Sequence, residues 1–182
     1  MERKTRRSLR SLTYTALSAA VLCVISPLSF PIGTIPVTLS LFAVFLISSI
    51  SSPKISVCAV TVYILIGALG LPVFSGFQGG VQTLIGPTGG FIAGYLPSAL
   101  LISALSKKGN TVKTALSMML GLAICYTLGA FWLGHVLESS FLSAITVTVS
   151  SCIVPDIIKI FLASLVSIET KKRLNSKEIK ND

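Results

Sequence analysis

Two opposite charges stand three residues apart in an otherwise apolar segment: Asp156 and Lys159, near the middle of residues 141–168. At that spacing they share one face of a helix. The helix cannot simply begin at Pro155, because only about 14 residues would then precede Glu169, and a span needs about 20. Both groups are therefore expected inside a membrane, where an ionisable side chain costs at least about 2.5–3.5 kcal/mol and marks function by default. The chemistry open to them is recognition. A carboxylate accepts hydrogen bonds, an ammonium donates them, and a ligand offering both kinds of group satisfies the pair. The competing reading is a structural pair that neutralises itself. Pro155, just before the pair, should bend the helix or free a carbonyl.

Catalysis is not expected. Asp156 is the only carboxylate well inside a predicted span, so an acid–base pair has no second member, and one Asp beside one Lys is a poor proton relay. The chain has no His-Glu-x-x-His, no Gly-x-Ser-x-Gly and no Walker-type motif. Its single histidine, His135, falls beside Trp132 where interfacial residues belong. No catalytic residue, metal ligand set or cofactor is predicted.

A second unusual stretch is residues 72–90. It carries no charge, yet it holds two prolines and six glycines and repeats Gly-x-x-Gly-Gly, from Gly76 to Gly80 and from Gly86 to Gly90. Such density suits backbone that turns sharply and approaches another group closely. Irregular backbone near membrane depth survives only where protein or a cavity satisfies it. The expectation is a loop held over a ligand, its backbone N–H groups offered to acceptors in the manner of a nest.

The elements that must position these features follow from composition. Of 182 residues, 52% are hydrophobic and 12% charged, and the mean hydropathy is +0.86. A soluble domain of this length carries about twice that charge, so an all-α integral membrane protein is predicted. The net charge of +9 does not mark a nucleic-acid surface. Apart from Lys54 and Lys159, the cations cluster in the N-terminal tail, residues 107–113 and the C-terminal tail, a pattern of membrane orientation. Charge-free runs over 11–53 and 55–106 are each too long for one span. Six spans result, over about 12–30, 37–52, 55–71, 89–106, 114–134 and 141–168, with the Gly-rich loop outside, between the third and fourth. Residues 1–11 and 169–182 are basic cytoplasmic tails flanking a membrane domain at 12–168. Cys23, Cys58, Cys125 and Cys152 read as small buried hydrophobes. Ala16 and Ala20 lie on one face of the first span, where small residues allow close helix approach.

Several motifs in order resemble the biotin-specific BioY family, the substrate-binding S components of energy-coupling-factor (ECF) transporters. They are Gly70-Leu71-Pro72-Val73-Phe74, Gly79-Gly80, Gly86-Pro87-Thr88-Gly89-Gly90-Phe91, Ile35-Pro36-Val37-Thr38-Leu39, and Pro155-Asp156 with Lys159. Two positions depart from the family pattern: Ser40 stands where Gln follows Thr-Leu, and no Gly separates Pro155 from Asp156. The resemblance implies capture of biotin from the outer side of the cell membrane. It implies a transmembrane coupling protein and ATP-binding cassette ATPases as partners, which alone hydrolyse ATP. Asp156, Lys159, Gln78 and Thr88 become expected ligand contacts, as do Gly79, Gly80, Gly89 and Gly90. Phe74, Phe77 and Tyr63 are candidate apolar walls, and Ala16 and Ala20 an expected contact with the coupling protein. Another vitamin or a biotin precursor as ligand, a lipid-modifying enzyme and a purely structural subunit are the alternatives.

Overall fold

The structure, a computed structural model, describes residues 2–30, 37–106 and 110–179, with side chains described from residue 9 to residue 172 within those segments. The turn expected around Pro31, Gly33 and Pro36, the motif residues Ile35 and Pro36, and Lys107, Lys108 and Gly109 lie outside the described residues.

The described chain is helical apart from one two-stranded hairpin and a loop. Its elements are α1 (Glu2–Ile25), β1 (Ser29–Phe30), β2 (Val37–Thr38), α2 (Ser40–Ile50), α3 (Pro53–Ala68), α4 (Val81–Ile85), α5 (Gly89–Leu105), α6 (Thr111–Val136) and α7 (Phe141–Ile179). Two helices, α6 and α7, are long and apolar enough to cross a membrane, over Thr111–Val136 and Phe141–Lys172. The other apolar stretches, Leu9–Ile25, Ser40–Ile50, Pro53–Ala68 and Gly89–Leu105, are shorter.

Element ends depart from the sequence expectation for local reasons. The first helix stops at Ile25 rather than near residue 30, and Pro27, which has no N–H to donate, follows closely. The chain turns there into β1, which pairs antiparallel with β2, Ser29 opposite Thr38 and Phe30 opposite Val37. Leu39 N–H donates to the Leu28 carbonyl at 3.0 Å, and the Ser40 hydroxyl donates to the Ser26 carbonyl at 3.1 Å. α2 therefore starts at Ser40, not at residue 37. At the other end of the chain, α7 runs on as helix through residues 169–179 and carries Pro155 within it.

Small residues decide the tightest helix pair. α5 lies against α6, and a Cβ on Gly94 would come within 3.1 Å of the Cys125 Cα. The Ser98 hydroxyl donates across the same seam to the Gly121 carbonyl at 2.7 Å. α7 packs on α6 and α2, and α3 packs on α1 and α5. The end of this bundle away from the Gly-rich loop carries Lys54, Lys113 and Lys171 and is called the basic end below. Cys125 and Cys152 are buried as expected, but Cys23 is half-buried and Cys58 exposed. Cys58 lies on the outward face of α3, where an apolar thiol suits a lipid neighbour as well as a core.

Candidate ligand-binding site

A cavity with an empty volume of about 670 Å3, its mouth included, opens between β2, α2, α3, α5, α6 and α7. Its wall from α7 is the predicted pair. Asp156 and Lys159 are 4% and 7% exposed, and Lys159 Nζ lies 2.6 Å from Asp156 Oδ1. The second carboxylate oxygen, Oδ2, accepts from the Tyr126 hydroxyl of α6 at 2.7 Å. Each carboxylate oxygen thus has one donor and can accept another. Among the described residues, one of the three N–H donors of Lys159 is in use. A ligand group with both acceptors and donors completes the pair; without it, two buried charges are left partly unsatisfied.

The apolar walls come from Tyr63, Phe74, Phe91 and Tyr95. Tyr63 and Phe74 meet edge to face with ring centroids 5.6 Å apart, and both are essentially fully buried. Phe74 belongs to the loop, so this contact seats the loop on α3. Ser75 and Thr88 bring loop hydroxyls to the same cavity, and Thr38 and Ser40 bring two more.

Of the sequence-predicted contacts, Asp156, Lys159, Tyr63, Phe74 and Thr88 converge on the cavity. Gln78, Gly79, Gly80, Gly89 and Gly90 are not among its lining residues. Gln78 is exposed, and its carbonyl accepts from Phe74 N–H at 2.9 Å. Gly80 holds φ at +92°, a region favoured by glycine, and its N–H donates to the Gly67 carbonyl at 2.7 Å. The Gly89 N–H donates to the Gly86 carbonyl at 3.0 Å. These two N–H groups are engaged within the loop and its anchor, so a ligand nest at them is not what the loop builds. Instead the glycines let the loop lie flat. Side chains at Gly79 and Gly90 would collide with the Leu71 carbonyl and with Trp132, respectively. Phe77 is 65% exposed and stands away from the walls.

Trp132 does more than mark an interface. Its indole N–H donates to the Gly86 carbonyl at 2.9 Å, pinning the loop to α6. His135 is exposed beside it, with ring centroids 6.3 Å apart. Lining residues that the sequence did not point to include Tyr126, Tyr95, Ser75, Cys125 and Cys152. A tyrosine inside an apolar span must find a partner for its hydroxyl, and that was the available signal for Tyr126.

Residues 1–176 match the family model described as the BioY family. The chain belongs to the BioY family. Among its relatives, the biotin transporter BioY of Thermotoga maritima is 37% identical over 90% of this chain and 97% of its own length. The biotin transporter BioY2 of Lactococcus lactis subsp. cremoris is 33% identical over 92% and 93%. The fold of this BioY-family chain is that of a solved S-component for biotin from an ECF-type ABC transporter. That match has a TM-score of 0.83 at 23% identity and covers 92% of this chain and 93% of the other. Membership of a transporter family agrees with the apolar helices in making the chain a membrane protein and a binding component rather than an enzyme.

Proposed function

We propose that the chain is the biotin-capturing subunit of an uptake system. It has six membrane-crossing segments, α1, α2, α3, α5, α6 and α7, with the loop of residues 69–88 on the outer face of the cell membrane. Residues 1–11 and 169–182 are the cytoplasmic tails of a membrane domain at 12–168, consistent with cations crowding the basic end. The observation that carries the reading is the Asp156–Lys159–Tyr126 group, buried on a cavity wall with unused donors and acceptors. Biotin has a ureido group with two N–H donors and one carbonyl, and a carboxylate tail. Asp156 accepts from a ureido N–H, and Lys159 donates to the carbonyl or to the tail. The apolar ring system and chain lie against Tyr63, Phe74 and the neighbouring aromatic walls, and the Thr88 hydroxyl, which donates to the Thr83 carbonyl, accepts at the loop side.

In this reading Gln78 and the glycines at 79, 80, 89 and 90 serve the ligand by shaping the loop. Ala16 and Ala20 are exposed while Ala19 between them is buried, so the small-residue face of α1 is open to a partner. That partner is the transmembrane coupling protein of an energy-coupling-factor module, whose ATP-binding cassette ATPases hydrolyse ATP. No cofactor takes part. The test is thermal unfolding of the detergent-purified chain with increasing biotin. A ligand that binds only the folded form raises the unfolding temperature in a saturable way; a flat response at high biotin rejects the reading.

A further inference from the structure

Four hydroxyls at the basic end have no visible purpose in ligand capture. Ser48 of α2, Ser56 of α3, Thr114 of α6 and Ser167 of α7 are fully buried, and none has a hydrogen-bond partner among the described residues. Each is reached along its own helix from a cavity residue. Ser48 is eight residues beyond Ser40, Ser56 seven before Tyr63, Ser167 eight beyond Lys159, and Thr114 twelve before Tyr126. At about 1.5 Å per residue, all four lie about 10–18 Å from the cavity, towards the same end.

Hydrogen bonds tie that level together. Lys171 Nζ donates to the Ser106 carbonyl at 2.6 Å, the Ser106 and Ser117 hydroxyls are bonded at 2.8 Å, and Ser117 donates to the Thr114 carbonyl at 2.7 Å. Ser167 sits one turn before Lys171 on the same face of α7. α6 packs against α7, α7 against α2 and α2 against α3, so each of the four helices neighbours the next.

A buried hydroxyl without a partner is costly and rare. In a helix it usually turns back to the carbonyl four residues earlier, as Ser103 and Thr148 do here. These four do not, although they come from four different helices. Neutral hydroxyls that both donate and accept suit water. Among the described residues, the Lys171 ammonium is the half-buried charge at this level, Lys54, Lys113, Glu169 and Lys172 being exposed, and the four hydroxyls offer no carboxylate to hold a metal cation. We propose that Ser48, Ser56, Thr114 and Ser167 form an internal water site, whose bound molecules bridge α2, α3, α6 and α7 at the basic end. Ile102, Ile160 and Ala163, all buried, form the dry level between this site and the ligand cavity. Water then eases helix separation at the basic end while the dry level keeps the cavity shut from that side.

The test combines two measurements on the full chain in detergent. Ser48→Ala and Ser167→Ala each remove a partner from bound water and are expected to lower the unfolding temperature by about 2–4 °C. Brief X-ray radiolysis with mass spectrometry reports water directly, because radicals formed from bound water oxidise adjacent side chains. Met118 is fully buried and one turn from Thr114, so its oxidation in the wild-type chain is expected. Unchanged or raised unfolding temperatures in both variants overturn the proposal, since that is the behaviour of a dry or self-bonded hydroxyl. An unoxidised Met118 overturns it too, and this arm stands even where a variant fails to fold.

Discussion

Tyr126 donates its hydroxyl to Asp156 Oδ2 at 2.7 Å while Lys159 holds Oδ1 at 2.6 Å. The two donors come from different helices, α6 and α7, so the carboxylate is fixed across a helix–helix seam before any ligand arrives. Preorganisation of this kind lowers the ordering cost of binding.

Tyr126→Phe keeps the ring and removes the donor. A hydrogen bond to a charged group contributes about 1.5–3 kcal/mol, so biotin affinity should fall by about tenfold or more. Calorimetric titration of the variant checks this; wild-type affinity would mean that Lys159 alone orients Asp156.

The pair itself predicts non-additive stability. Removing one member of a buried pair leaves an uncompensated charge, at a cost of about 3–5 kcal/mol, whereas removing both avoids it. Asp156→Ala and Lys159→Ala should each unfold at lower temperature than the double variant. Thermal melts of the three proteins decide it, and additive losses would show the two side chains acting independently.

The Trp132 bond to the Gly86 carbonyl predicts a kinetic effect. Trp132→Phe frees the loop that carries Phe74, Ser75 and Thr88 over the cavity. One hydrogen bond of about 1 kcal/mol corresponds to a roughly fivefold faster release of biotin, with the Asp156–Lys159 contacts intact. Stopped-flow displacement measures it, and an unchanged release rate would remove Trp132 from the closing of the cavity.

Ala16→Trp and Ala20→Trp place bulk on an exposed α1 face. Biotin binding by the isolated chain should be unchanged, while uptake and co-purification with the coupling protein should be lost. Retained co-purification would move the interface elsewhere.

The buried pair was legible in the sequence because charges inside an apolar run stand out against their surroundings. The same contrast predicted an all-helical membrane protein, and the described chain is helical, with α6 and α7 long and apolar enough to cross a membrane. It did not single out Tyr126, whose uncharged side chain blends into an apolar span although its hydroxyl donates to Asp156. Nor could it assign the glycines. Their spacing reads as a ligand nest, but Gly80 and Gly89 have spent their N–H groups on the Gly67 and Gly86 carbonyls, a matter of tertiary contact. The hairpin of Ser29 and Phe30 with Val37 and Thr38 was hidden for a similar reason, since two-residue strands carry no periodicity.

Calorimetric titration of biotin into the purified wild-type chain and into Lys159→Ala tests the central claim most directly. Saturable wild-type binding and an affinity at least about tenfold weaker in the variant, about 1.5 kcal/mol, are predicted. No wild-type binding, or equal affinity in the two proteins, would contradict the claim that the buried pair on α7 holds the ligand.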